Sequence, residues 1–251
     1  MYTHDLLEHD LGHGQIDDLD TAPPQSLLTV LSQRSGIEVD RLRCMSFAGW
    51  VPWLLDSLDD RIPAALETYG FQLSILLPRR SRKLRTIASW RAWLPSRPIQ
   101  RACPLCLNDQ ADQAILLAWK LPLMLSCPVH SCWLESYWGI PGRLFGGENA
   151  GSLPRAASEA IAAMDRRTWQ ALTTGYVKLP RRRIHAGLWF RMLRTLLDEL
   201  NTPLSQCGAC AGSIRYVWER CGQPLRAGQS LWRPYEILEP AVQLQMLEAT
   251  A

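Results

Sequence analysis

Two short knuckles, Cys103-Pro-Leu-Cys106 and Cys127-Pro-Val-His130, stand twenty residues apart and between them offer three thiols and one imidazole. Each knuckle folds its backbone so that both side chains face one point, and Zn2+ takes four such sulfur and nitrogen donors tetrahedrally. A catalytic zinc keeps one position open for water, commonly behind three ligands rich in His and carboxylate. Here four protein donors fill the shell, and neither a His-Glu-x-x-His run nor the His-x-Glu with Cys-x-x-Cys signature of the zinc deaminases occurs. The expectation is therefore one closed, structural zinc site made by Cys103, Cys106, Cys127 and His130. Cys207-Gly-Ala-Cys210 is a third knuckle, followed by Cys221 after ten residues, and could found a second zinc site. It lacks a fourth ligand, for which His185 or Cys132 would have to be recruited. The alternative is three partly buried thiols. Cys44 falls on an apolar helical face and is expected in the core. No phosphate-cradling glycine loop, Gly-x-Ser-x-Gly turn or conspicuous carboxylate pair is present, so nothing in the chain proposes an enzyme.

Knuckles meet only if the chain around them is held. Between them, Trp119 to Ser126 reads as a strand or strand pair, with Ala118-Trp119 and Leu123-Met124-Leu125 as its arms. Elsewhere the period is helical. Leu27, Leu28, Val30 and Leu31 make an apolar stripe that stops at Gly36, a natural C-terminal cap. Short helices over 38–44, 51–58 and 62–69, joined by tight turns, suit a helix-turn-helix-like N-terminal part. Further helices are predicted over 154–164 and 166–172. The clearest runs from Ile184 to Leu200, where Leu188, Trp189, Met192, Leu193, Leu196 and Leu197 recur at helical spacing before Asn201 and Pro203. Helices over 213–220 and after Pro240 complete the chain. The expected fold is mainly α with a small zinc-ribbon module built on a β-hairpin. Its segments are an acidic arm (1–23), a helical N-terminal part with a basic connector (24–98), the ribbon (99–145) and a helical C-terminal part (146–251).

Charge is distributed unevenly along the 251 residues. The net charge is +3, yet residues 1–33 hold Asp5, Glu8, Asp10, Asp17, Asp18 and Asp20 and no Lys or Arg, which leaves +9 on the remainder. From Arg79 to Arg101 there are eight basic residues and no acid, with Trp90 and Trp93 interleaved. A surface that tracks phosphates needs such a run, because each neutralised phosphate releases counterions; a solvated face is the plainer explanation. Arg79, Arg80, Arg82, Lys83 and Arg85 are the candidate DNA contacts, joined by Arg181, Arg182 and Arg183, which precede a helix at the end its dipole disfavours for cations. There is no secretory signal and no apolar run of membrane-spanning length, so a cytoplasmic protein is expected, in which cysteines serve metal or buried thiols rather than disulfides.

The string Cys103-Pro-Leu-Cys106-Leu107-Asn-Asp109, then Trp119-Lys-Leu-Pro, then Cys127-Pro-Val-His130 with Leu134 four residues on, resembles the TniQ/TnsD family of transposition proteins. The N-terminal Gln25-Ser-Leu-Leu-Thr-Val-Leu-Ser-Gln-Arg-Ser-Gly36 is similar to the helix that opens those proteins. Members often carry a further Cys-x-x-Cys directly after the second knuckle; here that place reads Tyr137-Trp138-Gly139-Ile140-Pro141-Gly142. The resemblance implies a non-catalytic adaptor. Such a protein selects the insertion target by binding DNA, or a DNA-bound guide-RNA complex, and recruits the element's AAA+ ATPase and, through it, the transposase. A zinc-ribbon transcription regulator and a protein-interaction scaffold are the rival classes.

Overall fold

The computed structural model describes residues 19–51, 53–54, 92–95, 99–108, 115–136, 153–223 and 233–251. The chain divides into two compact units, Met1–Leu58 and Asp59–Ala251.

In the first unit, α1 (Gln25–Ser35) buries Leu27 and Leu28 and ends at Gly36, whose φ of 71° places it in the left-handed region while its N–H reaches the Ser32 carbonyl. Glycine enters that region without the steric cost a Cβ would bring. α2 (Val39–Arg43) follows, then a 3-10 turn at Phe47–Trp50. The Phe47 and Ala48 N–H groups donate to the carbonyls of Asp20 and Thr21 at 2.7 and 3.1 Å, so the end of the acidic segment is tied to this turn. Gly49 makes the turn possible: a Cβ there would overlap the Cα of Cys44 and sit 2.9 Å from the Arg43 carbonyl oxygen. Two expectations are corrected. Cys44 is exposed, because α2 is a single turn that buries none of its residues. The helix predicted over 51–58 is not entered at Val51, which lies with Trp53 and Leu54 in a turn. The rest of that helix and the one over 62–69 lie outside the described residues, as do residues 1–18 of the arm.

Among its described residues the second unit is mainly helical, with two small antiparallel strand pairs. β1 (Arg101–Ala102) pairs with β2 (Glu135–Ser136), and α3 (Pro104–Asn108) lies between them in sequence. The segment 118–125 is not the predicted strand pair. It is a 3-10 turn at Leu117–Lys120 followed by a loop in which Ala118, Trp119, Leu121, Leu123 and Met124 are all buried, leaving no polar alternate face for a half-exposed strand. The Arg101 guanidinium makes this burial possible by donating to the Trp119 and Leu121 carbonyls at 3.3 and 2.8 Å.

Where two helices were predicted over 154–164 and 166–172, there is one, α4 (Glu159–Thr174). Its cap is Ser158, whose Oγ accepts from the Ile161 N–H, and Asp165 passes through its middle as a buried residue rather than a break. A hairpin follows, β3 (Tyr176–Lys178) with β4 (Arg183–His185), so α5 (Ala186–Leu200) begins two residues later than its hydrophobic period suggests. α6 (Ala211–Arg220) and α7 (Pro240–Thr250) lie close to their predicted places, and α5 packs on both α4 and α7.

The core of this unit contains an ion cluster. Arg194 of α5, fully buried, meets Glu236 at 2.5 and 3.0 Å and Asp198 at 3.4 Å. Burial pushes Asp198 up to about 7 against the pull of Arg194. Trp93 donates its backbone N–H to the same Glu236 at 2.6 Å, packs its ring 5.0 Å from the guanidinium, and holds φ at 67°, a left-handed conformation rare for a bulky side chain. One carboxylate therefore joins 92–95, α5 and the 3-10 turn at Tyr235–Ile237. Removing one partner strands the other, so Glu236→Ala is expected to cost about 3–5 kcal/mol in urea unfolding. A cost under about 1 kcal/mol would mean that the cluster is not what holds these elements.

Candidate metal centre

The first knuckle leaves β1 at Cys103 and turns into α3, which carries Cys106; the second leaves the isolated bridge Ser126–Trp133 at Cys127 and turns through 128–130 to His130. Ser131, at φ 52°, lets the chain double back, and its N–H closes the knuckle on the Cys127 carbonyl at 2.8 Å. The sulfurs of Cys103, Cys106 and Cys127 and a ring nitrogen of His130 all lie within 4.8 Å of one another. His130 Nδ1 stands 3.5, 3.3 and 3.6 Å from the three sulfurs in that order, and Cys106 and Cys127 are 3.8 Å apart. A tetrahedral zinc with Zn–S of about 2.3 Å and Zn–N of about 2.0–2.1 Å sets S···S edges of about 3.8 Å and S···N edges of about 3.5 Å. The donors fit that frame. The N–H groups of Cys106 and His130 point at the Cys103 and Cys127 sulfurs at 3.4 and 3.5 Å, an arrangement that favours thiolates. Burial works against a Cys103 thiolate, yet the Cys106 N–H and the neighbouring thiols outweigh it and hold its pKa below the ordinary value. Burial first, and then the neighbouring Cys103 sulfur, push Cys106 upward.

Cys132 adds a fourth sulfur, 3.5 Å from that of Cys103, but outside the four-donor group. Burial, with Cys103 beside it, pushes Cys132 up to about 12, so it stays a thiol beside the Cys103 sulfur.

The second knuckle is clamped from behind by residues C-terminal to it. Oδ2 of Asp165 accepts from the Leu125 N–H at 3.1 Å and from the Ser126 N–H and hydroxyl, each at 2.6 Å. Burial pushes Asp165 up to about 7 against these donors and Arg101. A proton on Oδ1, which has no partner among the described residues, leaves Oδ2 free to keep all three bonds. Cys132 bridges to Ala156, Trp133 and Ala157 donate to the Arg155 and Ser131 carbonyls, and Arg166 reaches the Ser131 hydroxyl at 3.0 Å. Tyr235 donates its hydroxyl to the Pro122 carbonyl at 3.0 Å.

The other candidates are not gathered. Cys207 is buried with its thiol 3.4 Å from the Pro203 carbonyl, and Cys221 is exposed near the Ala249 carbonyl. The ten residues of α6 stand between Cys210 and Cys221 and separate them by about 16 Å at the helical rise. Among the described residues the one possible metal group is therefore the first. His185 caps α5 through the Gly187 N–H rather than joining a thiol. Arg181, Arg182 and Arg183 are exposed on the β3–β4 hairpin; Arg79, Arg80, Arg82, Lys83 and Arg85 lie outside the described residues.

The TniQ family model matches residues 2–134, more than half of the chain, and its match ends on Leu134, just past the second knuckle. The chain belongs to the TniQ family. No curated protein and no solved structure matches it. Asp165, Arg166 and Tyr235, which brace the metal centre, all lie beyond the TniQ match. No spacing motif marks them; the single signal in the sequence is an acid at a helix position whose neighbours Ile161, Met164, Thr168 and Leu172 are core.

Two outcomes follow for the purified chain. Cys106→Ser and Cys127→Ser should lose stoichiometric metal by mass spectrometry, whereas Cys132→Ser should retain it; equal loss in all three would place Cys132 in the ligand shell. Asp165→Ala should strand the Leu125 and Ser126 donors and cost about 2–4 kcal/mol of stability, with Asp165→Asn losing less. A thermal midpoint unchanged by Asp165→Ala would remove this carboxylate from the account.

Proposed function

We propose that this chain is an accessory protein of DNA transposition, an adaptor that selects the target by binding DNA and recruits the element's AAA+ ATPase and, through it, the transposase. The observation that carries this reading is the TniQ match over residues 2–134, which takes in both knuckles. We infer that Cys103, Cys106, Cys127 and His130 hold one Zn2+, which supplies a structural cross-link and no open position for a reacting group. The protein's own residues do the remaining work. The ion fixes the two knuckles, Asp165 fixes the second knuckle to α4, and the surface around them is presented as a rigid face to partners. The adaptor is proposed to be non-catalytic and cytoplasmic. Among the described residues no helix is long and apolar enough to cross a membrane. Its N-terminal unit is proposed to be helix-turn-helix-like, and the connector residues Arg79, Arg80, Arg82, Lys83 and Arg85 to contact phosphates. A DNA-bound guide-RNA complex is an alternative platform for the same recruitment.

The test is co-purification of the tagged chain with the ATPase encoded by the same element, with and without nucleotide. Stable capture by the wild type, lost in Cys106→Ser/Cys127→Ser, is the expected result; no capture under any nucleotide state would sink the adaptor reading. Changing the five connector residues to Ala should weaken duplex DNA binding and flatten its dependence on salt, and an unaltered affinity and salt slope would take that cluster out of the reading.

A further inference from the structure

The β3–β4 hairpin carries an outward face that the metal centre does not use. In its register Tyr176 lies opposite His185, Val177 opposite Ile184 and Lys178 opposite Arg183. Side chains alternate across a strand, so the buried Val177 and Ile184 form the inner face, while Tyr176, Lys178, Arg183 and His185 share the outer one, all exposed. The Leu179 N–H donates to the Arg182 carbonyl at 2.9 Å and closes a tight tip over Pro180 and Arg181. Lys178 directly opposite Arg183 is a like-charge cross-strand pair, which by itself destabilises a hairpin. Nothing nearby in sequence relieves it, since the chain has no Asp or Glu between Asp165 and Asp198. Among the described residues no carboxylate pairs with Lys178, Arg181, Arg182 or Arg183. Arg183 instead lies over the Tyr176 ring, 3.8 Å from its centroid, and His185 meets the same ring edge-on at 5.5 Å. The ring holds the guanidinium in place without neutralising it.

We propose that this hairpin is a duplex-DNA contact, with Lys178, Arg181, Arg182 and Arg183 on phosphates and the Tyr176–His185 pair against the sugar edge beside them. The proposal rests on the DNA-binding reading above and gives it a place in the fold. A two-stranded antiparallel ribbon has the width that the major groove admits. An uncompensated cation pair on such a ribbon is relieved by regularly spaced anions, and a phosphate backbone supplies them. The two turn residues, Pro180 and Arg181, offer no large apolar side chain to enter a bilayer, and Leu179 beside them is half-buried.

The experiment uses the full chain and a labelled DNA duplex, with anisotropy read across a salt series. Lys178→Ala/Arg181→Ala/Arg182→Ala/Arg183→Ala should weaken binding roughly tenfold or more and lower the magnitude of the log K against log salt slope by about three to four. Arg183→Lys, which keeps the charge but not the planar stack, should weaken binding less and leave the slope near that of the wild type. Unchanged thermal midpoint and metal content establish that the variants fold, as exposed positions allow. Wild-type affinity and slope in the quadruple variant overturn the hairpin while leaving a DNA-binding adaptor intact. A wild type that binds no duplex overturns both. An equal loss of binding to poly-aspartate or to anionic vesicles, or a preference for single strands or duplex RNA, overturns the assignment to duplex DNA. Failure to capture the ATPase bears on recruitment alone.

Discussion

Oδ2 of Asp165 receives three hydrogen bonds from two adjacent residues, Leu125 and Ser126, immediately before the second knuckle. Beside them, that stretch has the Ser126–Trp133 bridge and its flanking backbone bonds. The strand pair around the centre has two residues a side, and the segment 118–124 before the second knuckle is a 3-10 turn and a mostly buried loop. A buried loop must find partners for its backbone. It finds them in Asp165, in the Arg101 guanidinium on the carbonyls of Trp119 and Leu121, and in the Tyr235 hydroxyl on Pro122. With those contacts in place, Cys127 and His130 can face Cys103 and Cys106. Without them the four donors would be joined only through chain that has no reason to be rigid.

The bracing continues inward. Tyr235 precedes Glu236, which takes both terminal nitrogens of Arg194 and the N–H of Trp93. A continuous set of polar contacts thus runs from the middle of α5, through the 3-10 turn at Tyr235–Ile237, to the loop between the knuckles. Each carboxylate in it is buried, and each is partnered by cations or N–H groups, as burial of charge requires. The arginines and indoles singled out in the sequence accordingly divide by role. Arg101 and Trp93 are structural, one satisfying carbonyls and the other filling the core, whereas Arg181, Arg182 and Arg183 are exposed on a hairpin.

The four donors of the metal centre were legible from residue type and spacing, since two knuckles have few ways to be useful apart. The helices whose apolar residues recur at helical spacing, α1 and α5, were legible in the same way, and α6 and α7 from the punctuation of Gly222 and Pro240. What escaped was decided by tertiary contact. Residues 118–125 are apolar enough for strands, but Ala118, Trp119, Leu121, Leu123 and Met124 are all wanted inside, so alternation is absent and a loop forms. Asp165 looks like a helix break by its type, yet its burial is compensated by donors forty residues away in sequence, which no local window contains. Cys207-Gly-Ala-Cys210 has the spacing of a knuckle, but the intervening α6 carries Cys221 away from it. The β3–β4 hairpin hid inside the helical period of Ile184 to Leu200, because Ile184 serves an inward strand position as readily as a helix stripe.

The TniQ match stops at Leu134, while the carboxylate, the tyrosine and the extended 155–157 segment that support the knuckle come later in the chain. The Cys/His knuckles are consequently not a self-supporting cassette. Recombination that cut the chain after Leu134 would separate the knuckles from the carboxylate that holds Leu125 and Ser126. Grafts are expected to succeed only when α4 travels along, which makes knuckles and helix one heritable block.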